Sequence, residues 1–236
     1  MISEGSTLPD TPGRAVTIEE PLRLAALEHA MQALALARLA GGMAHDVKNP
    51  LNAMALQIAL LGDKIASGGD DLATACAGNL SSMRNQIVRI DELVRRFADL
   101  ADPAASATVD VGQLVCDVAA LFGHEARRRR GGVTCEATPG IVLARADAGR
   151  TARVVLGLAC RALSGIEEGG VVSLRAAIDG GDAVIAIEHS AAAEPSLAWI
   201  LAVATESARD MGGTCSRAEH GNGELVELRF ERESAS

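Results

Sequence analysis

Apolar residues recur at steps of three and four along the first half of the chain, which is the spacing of amphipathic helices. One set comprises Leu36, Leu39, Met43, Val47, Leu51, Met54, Ile58, Leu61 and Ile65. A second set, after a glycine-containing stretch at 66–71, comprises Leu72, Cys76, Leu80, Met83, Ile87, Ile90, Val94, Phe97 and Ala101. The pattern predicts two long helices joined by a short turn, with Asp70 or Asp71 capping the second helix.

A single helical hairpin has only one neighbour to cover each of these apolar stripes. The pairing of two hairpins into a four-helix bundle would cover both stripes, so the pattern favours a homodimer. Packing of the hairpin against the rest of the chain is the alternative. The residues before the helices are rich in Gly, Pro, Ser and Thr, so we predict a flexible tail at 1–17 and the hairpin at 18–102.

The pattern changes after Asp102 and Pro103, where a short linker precedes a region of mixed periodicity. Helices are predicted at 111–130, 147–165 and 196–211, and strands at 133–137, 141–144, 171–178, 183–189 and 224–231. The predicted fold class is α+β: a long antiparallel hairpin that forms a dimeric four-helix bundle, followed at 108–232 by a small α/β sandwich. This sandwich should have one sheet with helices on one face.

Composition and charge narrow the possible functions. The chain of 236 residues is 48% hydrophobic, which is enough to bury a core. It shows no long apolar run and no basic-then-apolar leader, so we expect a cytoplasmic protein with no membrane contact. A net charge of -9 disfavours nucleic acid as a partner. The arginines at 127–130 form a basic run, which we interpret as the C-terminal end of a helix.

The five cysteines are Cys76, Cys116, Cys135, Cys160 and Cys215. Their number is odd, they are widely scattered, and none stands in CxxC spacing. They therefore predict neither a disulfide framework nor a zinc site, and we expect them to be small core residues.

The stretch GGMAHDVKNPLNAM at 41–54 contains residues that weaken a helix. At 3.6 residues per turn, His45 lies about 200° from the apolar stripe and should face solvent. Gly41 and Gly42 leave bare backbone beside its imidazole. Pro50 removes a backbone hydrogen bond and should bend the helix, at a cost of ~3 kcal/mol. We interpret this combination as a helix shaped for function.

An exposed histidine beside a carboxylate suits nucleophilic chemistry, because a neutral imidazole has a free nitrogen and Asp46 can orient the ring or accept a proton. Asn49 and Asn52 share the face of His45, one and two turns further on. The remaining isolated histidines, His29, His124 and His220, are interpreted as lone surface residues.

The heptapeptide HDVKNPL at 45–51 resembles the phosphoacceptor motif of bacterial sensor histidine kinases. The resemblance implies that His45 is the phosphorylated residue and that Asp46 assists the transfer. It also implies that Asn49 positions water against an acyl phosphate in members with phosphatase activity. We predict partner contacts on the same helix face at Gly41, Gly42, Lys48 and Asn52.

Residues 147–174 resemble the N box of the ATP-binding domain of these kinases, but the two asparagines of that motif are replaced by Gly157 and Arg161. The second asparagine normally holds the magnesium ion of ATP. His189 stands where the family has the aspartate that reads adenine, and we expect it at the surface with only Glu188 nearby. The segment after it is too short for an ATP lid. The sequence therefore predicts that this chain binds no cofactor or metal and does not use ATP.

The leading hypothesis is a histidine phosphotransferase of a two-component phosphorelay. It would shuttle phosphoryl groups between receiver-domain aspartates of response regulators through His45, with magnesium supplied by the receiver. Two alternatives remain. One is a sensor-type kinase or receiver phosphatase with unorthodox nucleotide contacts, and the other is a non-catalytic dimeric regulator of response regulators.

Overall fold

The computed structural model describes residues 20–67, 72–104, 106–137, 143–190, 194–220 and 223–233. Two helices come first, α1 (Glu20–Ser67) and α2 (Leu72–Ala101), and they pack against each other as the predicted hairpin. The predicted tail and the capping aspartates at 70 and 71 lie outside the described residues. The limits 18–102 and 108–232 given to the two domains stay predictions.

The second part of the chain is a small α/β sandwich. Its helices are α3 (Val111–Arg128), α4 (Ala148–Ser164) and α5 (Ala198–Asp210), the last preceded by a 3₁₀ turn (Pro195–Leu197). Its strands are β1 (Thr108–Asp110), β2 (Gly132–Ala137), β3 (Leu143–Arg145), β4 (Val171–Asp179), β5 (Asp182–His189), β6 (Thr214–His220) and β7 (Gly223–Glu231). The predicted α+β class is confirmed.

Five strands form the main sheet in the order β2-β4-β5-β7-β6, in which only β2 and β4 run parallel. β1 and β3 form a separate two-stranded ribbon. Alternate residues of β7 are buried, among them Val226, Leu228 and Phe230, because one face of the sheet packs on the helices. Two strands are not predicted by the sequence pattern: β1, which has three residues, and β6, an edge strand without apolar alternation.

Side chains at the ends of α3 and α4 fix where these helices begin and end. Asp110 and Asp147 accept hydrogen bonds from the backbone N–H groups of Gln113 and Arg150, which is the usual work of an N-cap carboxylate. At the other end, α3 ends at Arg128, which confirms the interpretation of the basic run.

Glu125 neutralises part of that basic run. Burial acts to raise the pKa of the Glu125 carboxyl, but hydrogen bonds from Arg128 and Arg129 outweigh it and hold the pKa below its usual value. Arg128 and Arg129 therefore already have a carboxylate partner at the C-terminal end of α3.

The prediction for the cysteines is wrong at one pair, because Cys116 of α3 and Cys135 of β2 form a disulfide. The chain turns back after α3, so β2 runs beside that helix and brings residues 19 apart in sequence to a Cα–Cα distance of 5.3 Å. Spacing along the sequence does not reveal such a contact. Cys76 and Cys160 are buried thiols as expected, and Cys215 is half-buried. Burial raises the pKa of the Cys160 thiol.

The N-terminal half of α1 belongs to the core of the sandwich. Its residues Leu24, Met31, Ala35 and Leu39 are buried in the same hydrophobic cluster as α4 and α5. Further along the hairpin, many apolar side chains of the predicted stripes are exposed: Leu51, Ile58, Ile65, Leu80, Ile87 and Val94. Within the described residues, no helix is both long enough and apolar enough to cross a membrane.

Candidate functional site

His45 lies on α1 with its side chain exposed to solvent, as the helical periodicity predicts. The helix continues through Pro50, whose side chain is buried. Gly41 is exposed and has open space where a Cβ would stand. Lys48, Asn49 and Asn52 are also exposed, so this stretch of α1 presents polar groups and bare backbone together.

The imidazole of His124, from α3, packs against the imidazole of His45. Their ring centroids are 4.6 Å apart and the two planes are inclined by 38°. His124 also covers Gly42, where a Cβ would lie only 3.1 Å from its Cδ2 atom. The absence of a side chain at Gly42 therefore lets α3 approach α1 here.

This position corrects the interpretation of His124 as a lone surface residue, because only 17% of its side chain is exposed. Residues 45 and 124 belong to segments separated by a whole helix and a linker. Their contact depends on how the sandwich docks on the hairpin, which no local sequence pattern reports.

The carboxylate of Asp46 points toward α3. Its Oδ1 atom lies 3.1 Å from Nδ1 of His124 and 3.8 Å from a terminal nitrogen of Arg127. Asp46 thus contacts the ring that packs on His45. A direct role of Asp46 toward His45 stays a prediction.

On the sandwich, the side of α4 that resembles a nucleotide-binding helix faces α1. A Cβ added at Gly157 would collide with Cγ and Sδ of Met31, which is fully buried. The thioether of Met31 therefore occupies the space in front of this glycine, and even an alanine side chain has no room there.

One turn further along α4, Arg161 is buried and binds Glu224 of β7 at 2.8 Å. Glu224 also pairs with Arg217 of β6 at 2.5 Å, and His189 Nε2 of β5 lies 3.6 Å from its Oε2 atom. Burial acts to raise the pKa of Glu224, but the Arg161 hydrogen bond and the charges of Arg161, Arg217 and His189 outweigh it, so the pKa is lowered.

The expectation that His189 is a surface residue is therefore wrong, since it is 2% exposed. Residues 189 and 224 are paired across β5 and β7, so the sheet register places the imidazole beside the buried carboxylate. The sequence identifies the strands but not their register, and for that reason it points only to Glu188 as a neighbour of this histidine.

A second ion network fastens α1 to the sandwich. Arg150 of α4 donates hydrogen bonds to Glu28 of α1 and to Asp210 of α5, and Glu28 is 1% exposed. Burial acts to lower the pKa of Arg150, and the bonds to both carboxylates raise it above its usual value. The two carboxylates together neutralise the charge of the half-buried guanidinium at the junction of three helices.

These residues do not fit a nucleotide bound with magnesium. The space in front of Gly157 contains the side chain of Met31. Arg161 stands where the resemblance places the metal-holding asparagine, and its positive charge is already paired with Glu224. Among the described residues, no three His, Cys, Asp or Glu side chains form a group that could hold a metal ion.

Residues 35–105 match the His Kinase A (phospho-acceptor) domain family. The sensor histidine kinase ZraS of Escherichia coli strain K12 is 26% identical over 159 residues, which cover 66% of this chain and 33% of ZraS. The chain thus spans about a third of the length of the curated relatives it matches.

Among solved structures, the catalytic domain of histidine kinase ThkA aligns at 15% identity with a TM-score of 0.48, over 55% of this chain and 97% of its own. A structure described as a bacterial phosphotransferase aligns at 17% identity with a TM-score of 0.44, over 90% of this chain and 98% of its own. Taken together, these sequence matches make the chain similar to histidine kinases: residues 35–105, within the helical hairpin, match the His Kinase A (phospho-acceptor) domain, and a small α/β domain follows.

Proposed function

We propose that this chain is a cytoplasmic histidine phosphotransferase of a two-component phosphorelay, which moves phosphoryl groups between receiver-domain aspartates through His45 without using ATP. The observation that supports it best is the contrast between two surfaces. The imidazole of His45 is exposed within a phosphoacceptor domain, whereas Met31 and the Arg161–Glu224 pair fill the side of the sandwich that resembles a nucleotide site.

In the proposed reaction, a ring nitrogen of His45 uses its lone pair to attack the phosphorus of an aspartyl phosphate on a receiver. The new P–N bond forms as the P–O bond to the aspartate breaks, and the electron pair of that bond leaves with the carboxylate. The attacking nitrogen carries no proton, so none has to leave it, and the other ring nitrogen keeps its proton until after transfer. The reverse reaction passes the phosphoryl group to a second receiver.

Phosphoryl transfer depends mainly on positioning and on neutralisation of charge. We propose that the receiver supplies the magnesium ion, which neutralises the phosphoryl oxygens, and that this chain supplies the imidazole and a surface of matching shape. Gly41, Lys48, Asn49 and Asn52 would contact the receiver, because they are exposed on the same stretch of α1 as His45.

We further propose that the functional unit is a homodimer. The hairpin exposes a row of large apolar side chains on both helices, at 46% to 57% of their surface: Leu51, Ile58, Ile65, Leu80, Ile87 and Val94. Such a contiguous apolar face is costly in water. A second hairpin packed against it would complete a four-helix bundle and leave the sandwiches on the outside.

A transfer assay with a phosphorylated receiver tests this function. The receiver is labelled with ³²P on its aspartate, freed of donor, and mixed with the wild type, with His45→Gln and with His29→Gln. We expect acid-labile label on the wild type and on His29→Gln, whose histidine is also exposed on α1, and none on His45→Gln. Equal labelling of His45→Gln would contradict the proposal, and the absence of label on every protein would favour a non-catalytic regulator.

Receiver phosphatase activity is a second candidate, favoured by the exposed carboxamide of Asn49 one turn after His45. It predicts that Asn49→Ala slows the loss of phosphate from the receiver into water while His45 still accepts label. A loss rate that does not change in Asn49→Ala would exclude this role.

A further inference from the structure

We propose that His124, a residue of the α/β domain, is a positioning residue for phosphoryl transfer at His45. This inference rests on the proposed function. It assigns the sandwich a part in the chemistry that does not involve a nucleotide: α3 carries a side chain that completes the site on α1.

The first support is the direct contact between the two rings. At a centroid separation of 4.6 Å, His124 restricts the rotation of the His45 side chain about χ1 and χ2. His45 remains exposed, so this contact holds one side of its ring and leaves the other open to a receiver. An exposed histidine without such a neighbour would sample several rotamers, and only some of them would be aligned for attack.

The second support is the pairing of Asp46. A phosphoryl group that arrives at His45 carries about two negative charges, and the neighbouring carboxylate of Asp46 would repel it. Its Oδ1 atom lies 3.1 Å from Nδ1 of His124 and 3.8 Å from a terminal nitrogen of Arg127. Both nitrogens belong to α3, so they attract the negative charge of Asp46 toward that helix and away from the reaction path. The same contact helps to hold the His124 ring in its orientation against His45.

The third support is the close packing of the His124 imidazole on α1 at Gly42. Gly42 leaves room for His124, and a Cβ at this position would press on Cδ2 at 3.1 Å. Gly42→Ala should therefore displace His124 while leaving the side chain of His45 itself unchanged. Gly62→Ala is its matched control, because Gly62 lies in the same helix with nothing within 4 Å of its Cβ position. Both variants gain the same helix propensity.

The test is a single-turnover transfer from the labelled receiver, measured across receiver concentrations for the wild type, His124→Ala, His124→Asn and His220→Ala. We expect His124→Ala to lower the maximal rate constant about tenfold, while the receiver concentration at half-maximal rate changes less than about twofold. His124→Asn keeps a donor near Asp46 and should recover part of the rate. His220→Ala, an exposed histidine on β6, should match the wild type.

Further variants separate positioning from a general loss of structure. If His124 acts partly through Asp46, the effects of His124→Ala and Asp46→Asn should be less than multiplicative in the double variant. Gly42→Ala should slow transfer about threefold, and Gly62→Ala should leave it unchanged. Each protein is compared by circular dichroism and thermal melting, so that a variant that fails to fold is recognised and the result is taken from His124→Asn and Gly42→Ala.

A maximal rate that stays unchanged, or that rises, in His124→Ala and His124→Asn would overturn the inference, and a rise would mean that the ring restrains His45. Phosphoramidate distinguishes this failure from a failure of the proposed function. This small donor phosphorylates imidazoles directly, since ammonia leaves as the new P–N bond forms. If no receiver labels the wild type, the inference still requires His45 to react several-fold more slowly with phosphoramidate in His124→Ala than in the wild type.

Discussion

The two halves of α1 lie in different surroundings, although one uninterrupted helix contains both. In the N-terminal half, Glu28 and Met31 are buried against α4 and α5. In the C-terminal half, His45 and a row of apolar side chains, among them Ile58, are exposed. The difference shows that one helix can both cover a surface of the sandwich and leave an imidazole exposed to solvent.

The ion pairs of the sandwich and those beside His45 also differ in how deeply they are buried. Around α4, Arg161 is matched inside the protein by Glu224, so its charge is already satisfied. Beside His45, the Asp46–His124 pair is only partly buried, with 18% and 17% of the two side chains exposed. A buried, paired charge is screened from solvent, whereas a partly exposed pair stays accessible to other charged groups.

The largest effect is expected at the uncovered apolar face of the C-terminal half. Placing aspartates at both Ile58 and Ile87 would bring charges into the proposed dimer interface, and each uncompensated charge costs several kcal/mol. We expect the double variant to be monomeric by light scattering at a concentration where the wild type is dimeric. A wild type that is itself monomeric would contradict the proposed homodimer.

A smaller effect is expected at the ion network of the sandwich. Glu224→Gln removes the charge that pairs with buried Arg161 and should lower the free energy of unfolding by about 3 kcal/mol at pH 7. The exposed Glu219→Gln on β6 is the matched control and should change it by less than about 0.5 kcal/mol.

The dependence of this effect on pH has a definite direction. Because the pKa of Glu224 is lowered in the folded protein, its ionised form stabilises the fold above the ordinary pKa of a glutamate. That contribution is lost as the pH falls below about 4 toward the lowered pKa. The difference in melting temperature between the wild type and Glu224→Gln should therefore shrink on acidification. A constant difference would show that the carboxylate charge is not what stabilises this network.

The next effect is a loss of stability at the interface between α1 and α4. Met31→Ala deletes a fully buried side chain and should destabilise the fold by about 3 kcal/mol, as measured by urea unfolding. Combining it with Gly157→Asn should recover part of this loss, because the new side chain then has space. A Gly157→Asn single variant as stable as the wild type would contradict the close packing of Met31 on this glycine.

The smallest effect is expected at the exposed ion pair of α2. Arg95 and Asp91 are 2.6 Å apart and about two-thirds exposed, at 69% and 66%. Such pairs contribute about 0.3–0.5 kcal/mol, so Arg95→Ala should leave the midpoint of urea unfolding almost unchanged. A large loss of stability in this variant would indicate that another subunit or domain covers this surface.

The sequence alone predicts most of the elements and the exposure of His45, because helical and strand periodicity records which side of an element is buried. The elements it misses, β1 and β6, are a three-residue strand and a polar edge strand, in which periodicity carries little information. The motif at 45–51 is local and depends on side chains of one helix, so the sequence is sufficient to identify it.

The rest of the site depends on contacts between distant segments. The docking of α3 on α1 places His124 beside Asp46, and the packing of α3 on β2 allows the Cys116–Cys135 disulfide. The register of β5 and β7 places His189 beside Glu224. Local sequence patterns encode neither docking nor register. The sequence does contain one signal: Gly42 lies next to a functional motif, and a helical glycine at such a position often permits close approach of another element. It does not say which element approaches.

The most direct test of the central claim compares two phosphoryl donors on the same wild-type protein. Parallel reactions contain either ATP labelled on its γ-phosphate, with magnesium, or a receiver labelled on its aspartate, and the acid-labile label on this chain is measured over time. We expect label from the receiver and none from ATP, because Met31 packs on Gly157 and Arg161 is paired with Glu224, at the two positions where the resemblance to kinases places asparagines. Label transferred from ATP and lost in His45→Gln would contradict it and identify the protein as an ATP-dependent kinase.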